Sequence, residues 1–107
     1  MPHRDGIKRI LIVTDAWHPQ VNGVVRTIMN TQAELERMGC EVVLITPRDY
    51  RTVPCPSYPE IRLSITTSRE VESRIRRLRP DAIHIATEGP LGWAARNACM
   101  RNNWKFT

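Results

Sequence analysis

Residues 7–24 read IKRILIVTDAWHPQVNGV, and this stretch decides the fold. Its four consecutive branched apolar residues, Ile10–Val13, are typical of a strand buried on both faces of a parallel sheet. Asp15 ends the strand, a Trp-His-Pro loop follows, and Gly23 lies where an amphipathic segment begins. Unpaired N–H groups and the positive end of the dipole meet at a helix N-terminus. The stretch therefore predicts a place where an anionic ligand can bind.

The rest of the chain continues this alternation of strands and helices. Strands are predicted over residues 8–14, 41–46, 61–65, 81–86 and 104–107, and helices over residues 23–38, 68–79 and 90–102. The order predicts an α/β fold with a doubly wound parallel sheet in one domain. For the five strands in chain order we expect the sheet order 3-2-1-4-5, with the first strand central.

Local signals mark the ends of these elements. Gly39 stands where a left-handed glycine ends a helix, Ser68 is expected to cap the second helix, and Pro90 is suited to the first position of the third. The first helix is expected to bury one face, formed by Val25, Ile28, Met29, Leu35 and Met38. Residues 47–59 contain four prolines and are predicted to form an exposed loop.

The composition indicates a small, basic, cytoplasmic domain. The 107 residues include 16 basic and 11 acidic side chains, which give a net charge of +5 and favour an anionic partner. Three widely spaced cysteines without ligand spacing predict reduced thiols and no metal site. The apolar run near the N-terminus is too short for a signal peptide or a membrane span.

Polar residues follow the predicted strands at one edge of the sheet. Asp15, His18 and Glu88 lie at or just beyond carboxyl ends of parallel strands, where open α/β sheets bind ligands. Gly23 either admits a phosphate to backbone N–H groups or only relieves a tight entry into the helix. Neither GxGxxG nor a P-loop occurs. His84, inside a strand, is interpreted as a core or sheet-packing residue.

Two runs of sequence resemble a known family. Residues 14–47, TDAWHPQVNGVVRTIMNTQAELERMGCEVVLITP, and residues 83–96, IHIATEGPLGWAAR, are similar to the N-terminal region of retaining glycosyltransferases with the GT-B fold, called group 1 or family 4. The pairing looks most like the branch that glycosylates lipids. The resemblance implies two Rossmann-like domains, of which this chain would be an incomplete N-terminal one.

The resemblance also implies roles for individual residues. The donor diphosphate would be touched by Asn22, Gly23 and Val24, although many relatives have two adjacent glycines where this chain has Asn-Gly. The acceptor, plausibly a lipid at the inner membrane surface, would contact Asp15, His18, Glu88 and Gly89. No cofactor is implied, since the nucleotide sugar is a substrate. The family's donor-binding half and a histidine near the donor sugar would lie beyond Thr107, so we expect the chain alone to be an inactive fragment.

Other functional classes and partners are also considered from the residues. A self-contained flavodoxin- or receiver-like module would place Asp15 in an acidic pocket, but a receiver needs a second acidic residue there. A nucleic-acid binder is disfavoured because aromatic residues make up only 6% of the chain. The arginines 74, 76, 77 and 79 form either a solvated helix face or a surface that attracts anionic lipid. The strand edge at residues 104–107 is expected to promote self-association.

Overall fold

The computed structural model describes residues 7–16, 23–54, 56 and 62–107. In chain order the elements are β1 (Arg9–Val13), α1 (Gly23–Arg37), β2 (Glu41–Ile45), a 3-10 helix (Pro47–Asp49), β3 (Arg51–Pro54), β4 (Arg62–Ile65), α2 (Ser68–Leu78), β5 (Ala82–Ile85) and α3 (Pro90–Asn102). In these ranges no helix combines the length and the apolar character needed to cross a bilayer.

A three-stranded parallel sheet in the order β2-β1-β5 forms the centre of the fold. Leu11 of β1 is in register with Val43 of β2 and with Ile83 of β5. The incomplete parallel α/β sheet and the central position of the first strand are therefore confirmed. The branched apolar run Ile10–Val13 is suited to this position because it has a neighbouring strand on each side.

Residues 104–107 lie next to β5, as expected for the last predicted strand, although only the final residue pairs with it. The backbone N–H of Thr107 donates to Ile83 O at 3.0 Å, and Ile85 N–H donates to Thr107 O at 2.9 Å. These two bonds are the pattern of a single parallel bridge. The chain thus ends at the edge of the sheet beside β5.

The two faces of the sheet are covered differently. Leu11, Val13 and Ile83 pack with helices α2 and α3 in the main apolar core, to which α3 contributes Leu91, Ala94, Ala95 and Cys99. The intervening residue Ile12 faces α1 instead, in accordance with the two-residue repeat of a strand. Helix α1 buries only Val25 and Ile28. The core is therefore concentrated between the sheet and the pair α2–α3.

The predicted third strand does not join the parallel sheet. Instead, β4 pairs with β3 in an antiparallel two-stranded sheet, with Val53 opposite Leu63. Residues 47–59 do not form one continuous exposed loop, as was predicted, because β3 lies within this range. Thr46 and Asp49 form a reciprocal capping box that folds the intervening Pro47 into a 3-10 helix. Pro54 is tolerated because it is the last residue of its strand.

Two details of the helices differ from the sequence predictions. Met29 and Met38 are 45% and 74% exposed, so the predicted buried face of α1 is too wide. Thr67, and not Ser68, caps α2, since its hydroxyl accepts the Glu70 N–H at 3.2 Å. The left-handed backbone of Gly39 is confirmed, with φ of 88°. Helix α3 begins at Pro90 and ends at Asn102, as predicted.

Candidate functional site at the carboxyl ends of the strands

The loops that leave β1 and β5 are joined at the carboxyl edge of the sheet. Asp15 follows β1, Thr87 follows β5, and the two residues exchange hydrogen bonds. Asp15 N–H donates to Thr87 Oγ1 at 2.7 Å, and the same hydroxyl donates to Asp15 Oδ2 at 2.8 Å. The expected convergence of Asp15 with the loop around Glu88 is therefore present in the structure.

The carboxylate of Asp15 lies at the N-terminus of α3. Its Oδ1 accepts the Leu91 N–H at 2.8 Å, and its Oδ2 accepts the Gly92 N–H at 3.1 Å. Gly89 occupies the N-cap position of this helix and has no side chain that could accept these hydrogen bonds. Asp15 therefore caps α3 from 76 positions away in the chain, with charge-assisted hydrogen bonds and a favourable dipole interaction.

Two glycines make this close arrangement possible. A Cβ atom on Gly89 would lie 2.5 Å from Asp15 Cγ, and a Cβ atom on Gly92 would lie 2.0 Å from the backbone oxygen of Thr87. Both distances are shorter than any real contact, so no larger residue fits without a shift. Sequence reasoning selected Gly89 but missed Gly92 and Thr87. The available signal was the pair of glycines on either side of Pro90-Leu91.

Glu88 lies in the short loop that Asp15 holds. Its neighbours Thr87 and Gly89 both contact the Asp15 carboxylate, whereas Glu88 itself is exposed. His18 and Asn22 lie outside the described residues, as does Trp17. The structure therefore brings together Asp15, Glu88 and Gly89 from the predicted acceptor set. That any of them touches an acceptor stays a prediction.

The N-terminus of α1 contrasts with that of α3. Gly23 and Val24 are both exposed, and the first turn of α1 contains no acidic residue. No described atom lies within 4 Å of a Cβ placed on Gly23. Gly23 also does not adopt positive φ, so the conformational explanation for this glycine is not supported. Gly23 is exposed, and its backbone conformation gives no reason for a glycine at this position.

A cavity of about 490 Å³ lies between α1 and the sheet, next to Gly23. Its lining includes Ile12, Gly23, Val24, Thr27, His84 and Ala86. The assignment of His84 to the core is wrong, because its side chain is exposed on this face and its Nδ1 lies 3.2 Å from Thr107 Oγ1. Alternation along β5 explains the difference, since the buried Ile83 takes the core-facing position.

The described residues contain no group of three or more His, Cys, Asp or Glu side chains that could hold a metal ion. This edge of the sheet carries the exposed first turn of α1, the exposed carboxylate of Glu88 and the cavity beside Gly23.

Comparison with known proteins adds a family to this geometry. The sequence profile of Glycosyltransferase Family 4 matches residues 21–106. The chain is 31% identical to the alpha-monoglucosyldiacylglycerol synthase of Acholeplasma laidlawii, over 78% of this chain and 25% of the relative. It is 31% identical to the sulfoquinovosyl transferase SQD2 of Arabidopsis thaliana, over 79% of this chain and 19% of the relative.

A third relative uses a named sugar nucleotide. The GDP-mannose-dependent alpha-mannosyltransferase of Mycobacterium tuberculosis is 29% identical, over 87% of this chain and 29% of the relative. The chain thus spans less than a third of the length of each of these curated relatives. No solved structure gives a significant match to the chain.

Proposed function

Because this chain belongs to Glycosyltransferase Family 4, we propose that it forms part of the substrate-binding region of an enzyme that transfers a sugar from a nucleotide-sugar donor to an acceptor. The observation that carries this proposal is the accessible N-terminus of α1 at the carboxyl edge of the parallel sheet. Open α/β sheets bind ligands at this edge, and a helix N-terminus favours phosphate.

The donor diphosphate would bind at Asn22, Gly23 and Val24. Gly23 and Val24 are exposed, so a ligand can reach the first residues of α1. No atom of the described residues lies within 4 Å of a Cβ placed on Gly23, and a glycine lets a phosphate oxygen approach the backbone more closely than a larger residue would. The cavity of about 490 Å³ beside Gly23 gives room for the rest of a bound substrate.

The acceptor would bind at the loops that leave β1 and β5, which include Asp15, His18, Glu88 and Gly89. Glu88 offers an exposed carboxylate that can accept hydrogen bonds from sugar or glycerol hydroxyls. Asp15 already accepts three hydrogen bonds within the protein. In this proposal Glu88 therefore makes the principal polar contact from the described part of the acceptor site.

A lipid is the acceptor class that the relatives favour. One of them is named for the synthesis of alpha-monoglucosyldiacylglycerol, a glycosylated lipid, and the chain carries an excess of five positive charges. Arg77 and Arg79 are exposed, whereas Arg74 and Arg76 pair with acidic neighbours. We expect a cytoplasmic protein that cosediments with anionic phosphatidylglycerol vesicles at low salt. Equal binding to neutral phosphatidylcholine vesicles would contradict this electrostatic attraction.

The proposal also includes a second domain as a partner of this chain. The chain would need a donor-binding domain like the remainder of its longer relatives, and no cofactor, since the nucleotide sugar is itself a substrate. We expect the 107-residue chain alone to transfer no sugar, because catalysis requires both substrates to be positioned. The sheet edge beside β5 would also allow copies to pair, which sedimentation velocity would reveal as dimers or larger species.

The donor proposal is tested by NMR on the ¹⁵N-labelled chain. Titration with GDP-mannose, UDP-glucose and pyrophosphate should shift the backbone amides of Gly23 and Val24, because these N–H groups would meet the diphosphate. Binding by this half alone should be weak, with a Kd of about 1 mM, equivalent to ~4 kcal/mol.

A Gly23→Val variant provides the matched control. Since no atom of the described residues lies within 4 Å of a Cβ at position 23, we expect the variant to fold, while its branched side chain occupies the position of a phosphate oxygen. We expect an unchanged fold and no shifts at the start of α1. Unperturbed amides at residues 23 and 24 in the wild type, or equal shifts in a folded Gly23→Val protein, would refute the phosphate role.

A further inference from the structure

Helix α3 begins at the carboxyl edge of the sheet, and a side chain from the loop after β1 fills its N-terminus. We propose that Asp15 is a positioning residue that acts as an internal anion for α3. It fixes the Thr87–Gly89 loop, presents Glu88, and keeps anionic substrate groups away from this helix. The inference rests on the proposed function only where it names the substrate groups; the internal-anion role itself does not.

Both carboxylate oxygens of Asp15 are used within the protein. Oδ1 accepts the Leu91 N–H at 2.8 Å, while Oδ2 accepts the Gly92 N–H at 3.1 Å and the Thr87 hydroxyl at 2.8 Å. A carboxylate bound by adjacent N–H groups at a helix start satisfies the donors that a phosphate would otherwise use. The α3 N-terminus is thus occupied before any ligand arrives.

Gly89 leaves the space that this carboxylate occupies. All three outer atoms of Asp15 would lie within 2.9 Å of a Cβ on Gly89, so the missing side chain is what admits Asp15. The N-capping position of a helix often carries Asp, Ser or Thr, which would supply the anion or acceptor locally. Here the N-cap is a glycine, so Asp15 supplies the acceptor from the loop after β1. This contact connects the loop after β1 with the loop after β5.

This connection has a consequence for Glu88. The residues on both sides of it contact Asp15, so the direction of the exposed Glu88 carboxylate depends on a side chain that comes from another loop. Substrate diphosphate is directed to α1 for the same reason, since the competing helix N-terminus is already neutralised. Asp15 would therefore influence both substrates through position and charge, in addition to any contact that it makes with the acceptor.

Anion rescue tests the internal-anion role. An Asp15→Gly variant should have a lower melting temperature than the wild type, and formate should raise that temperature along a saturating curve, because the small carboxylate occupies the vacated position. Wild-type protein should respond to formate no more than to chloride at equal ionic strength. If formate and chloride act equally on Asp15→Gly, the proposal is overturned.

NMR provides a readout that a purely structural role would not change. In the wild type, pyrophosphate should leave the amides of Leu91 and Gly92 unshifted, whereas in Asp15→Gly it should shift both. Asp15→Ala, which removes the carboxylate without the added backbone freedom of glycine, serves as the second variant if Asp15→Gly fails to fold, and it should also gain a pyrophosphate response at Leu91. Shifts at Leu91 and Gly92 in the wild type, or none in a folded variant, would refute the proposal.

A double-mutant cycle tests the geometry independently. Gly89→Ala should strongly lower the melting temperature of the wild type, because its methyl group collides with Asp15, but should lower that of Asp15→Gly much less. Additive losses would contradict the contact. These outcomes are separate from the proposed function, because failure of donor binding at residues 23 and 24 would leave the formate rescue and the cycle unchanged.

Discussion

Gly92 and Gly23 both lie in the first turn of a helix, yet their surroundings are opposite. A Cβ on Gly92 would lie 2.0 Å from the backbone oxygen of Thr87 and 3.3 Å from Ile85 Cγ2. A backbone oxygen cannot rotate away as a side chain can. The same Cβ on Gly23 would meet no described atom within 4 Å. Gly92 is therefore required by packing, whereas no described neighbour restricts the size of the residue at position 23.

These surroundings predict opposite effects of the same substitution. Gly92→Ala should destabilise the chain by about 1–3 kcal/mol or more, because the added methyl forces α3 away from the loop after β5. Gly23→Ala should be neutral or stabilise by up to ~1 kcal/mol, because alanine reduces the entropy of the unfolded chain at a position with ordinary φ. Urea denaturation of both variants measures the difference. Equal losses in the two variants would contradict the described packing.

Helices α2 and α3 are joined by a charged cluster around Glu72. Its carboxylate accepts hydrogen bonds from Arg101 and Asn102 of α3 and from Arg76 of α2, the last two at 2.9 Å. The guanidinium of Arg76 also lies 5.3 Å from the ring centre of Trp104. The hydrogen bond from Arg101, followed by that from Asn102, lowers the pKa of Glu72 to about 2. The cluster holds the ionised form of Glu72.

The depressed pKa predicts acid sensitivity. A carboxyl whose pKa is lower in the folded than in the unfolded chain stabilises the fold above the unfolded value and loses this contribution as the pH falls through the folded one. Glu72→Gln should therefore lower the melting temperature at neutral pH. The difference from the wild type should shrink as the pH falls from 4.5 towards about 2. Glu36→Gln, on the exposed side of α1, is the control, and an equal pH response in both variants would be evidence against the cluster.

Among the described residues, the burial of side chains is concentrated on one side of the sheet. Helix α3 buries six of its 13 residues, whereas α1 buries two of its 15. Val24 and Met29 of α1, and Met38 just after it, remain largely exposed. Family membership accounts for the parallel sheet and argues against a self-contained flavodoxin- or receiver-like module. The thinly packed side is also the side that carries the proposed donor site.

This asymmetry predicts different local stabilities. Amides of Leu11–Val13 and of Ala94–Cys99 should exchange with solvent most slowly, because they open only when the main core unfolds. Amides in the middle of α1 should exchange faster by local opening, since few apolar contacts hold that helix. Hydrogen exchange followed by NMR measures both sets. Slower exchange in α1 than in α3 would show that the core is misassigned.

Features that depend on neighbouring residues in the chain were predictable. The branched run Ile10–Val13 identified the central strand, Gly39 marked a left-handed helix end, and Pro90 opened α3, because each signal acts within a few residues. The carboxyl-edge location of Asp15 and Glu88 also followed, since parallel strands place their ends together.

Features that depend on distant partners were decided only by the tertiary structure. The hairpin of β3 and β4 replaced a predicted parallel strand, because pairing between segments is not encoded in the alternation of either one. The exposure of Met29 and His84 depended on which elements cover each face of the sheet. Asp15 looked like a ligand residue from its position alone. Its hydrogen bonds to α3 arise only because the chain returns 76 positions later with a helix that lacks its own cap.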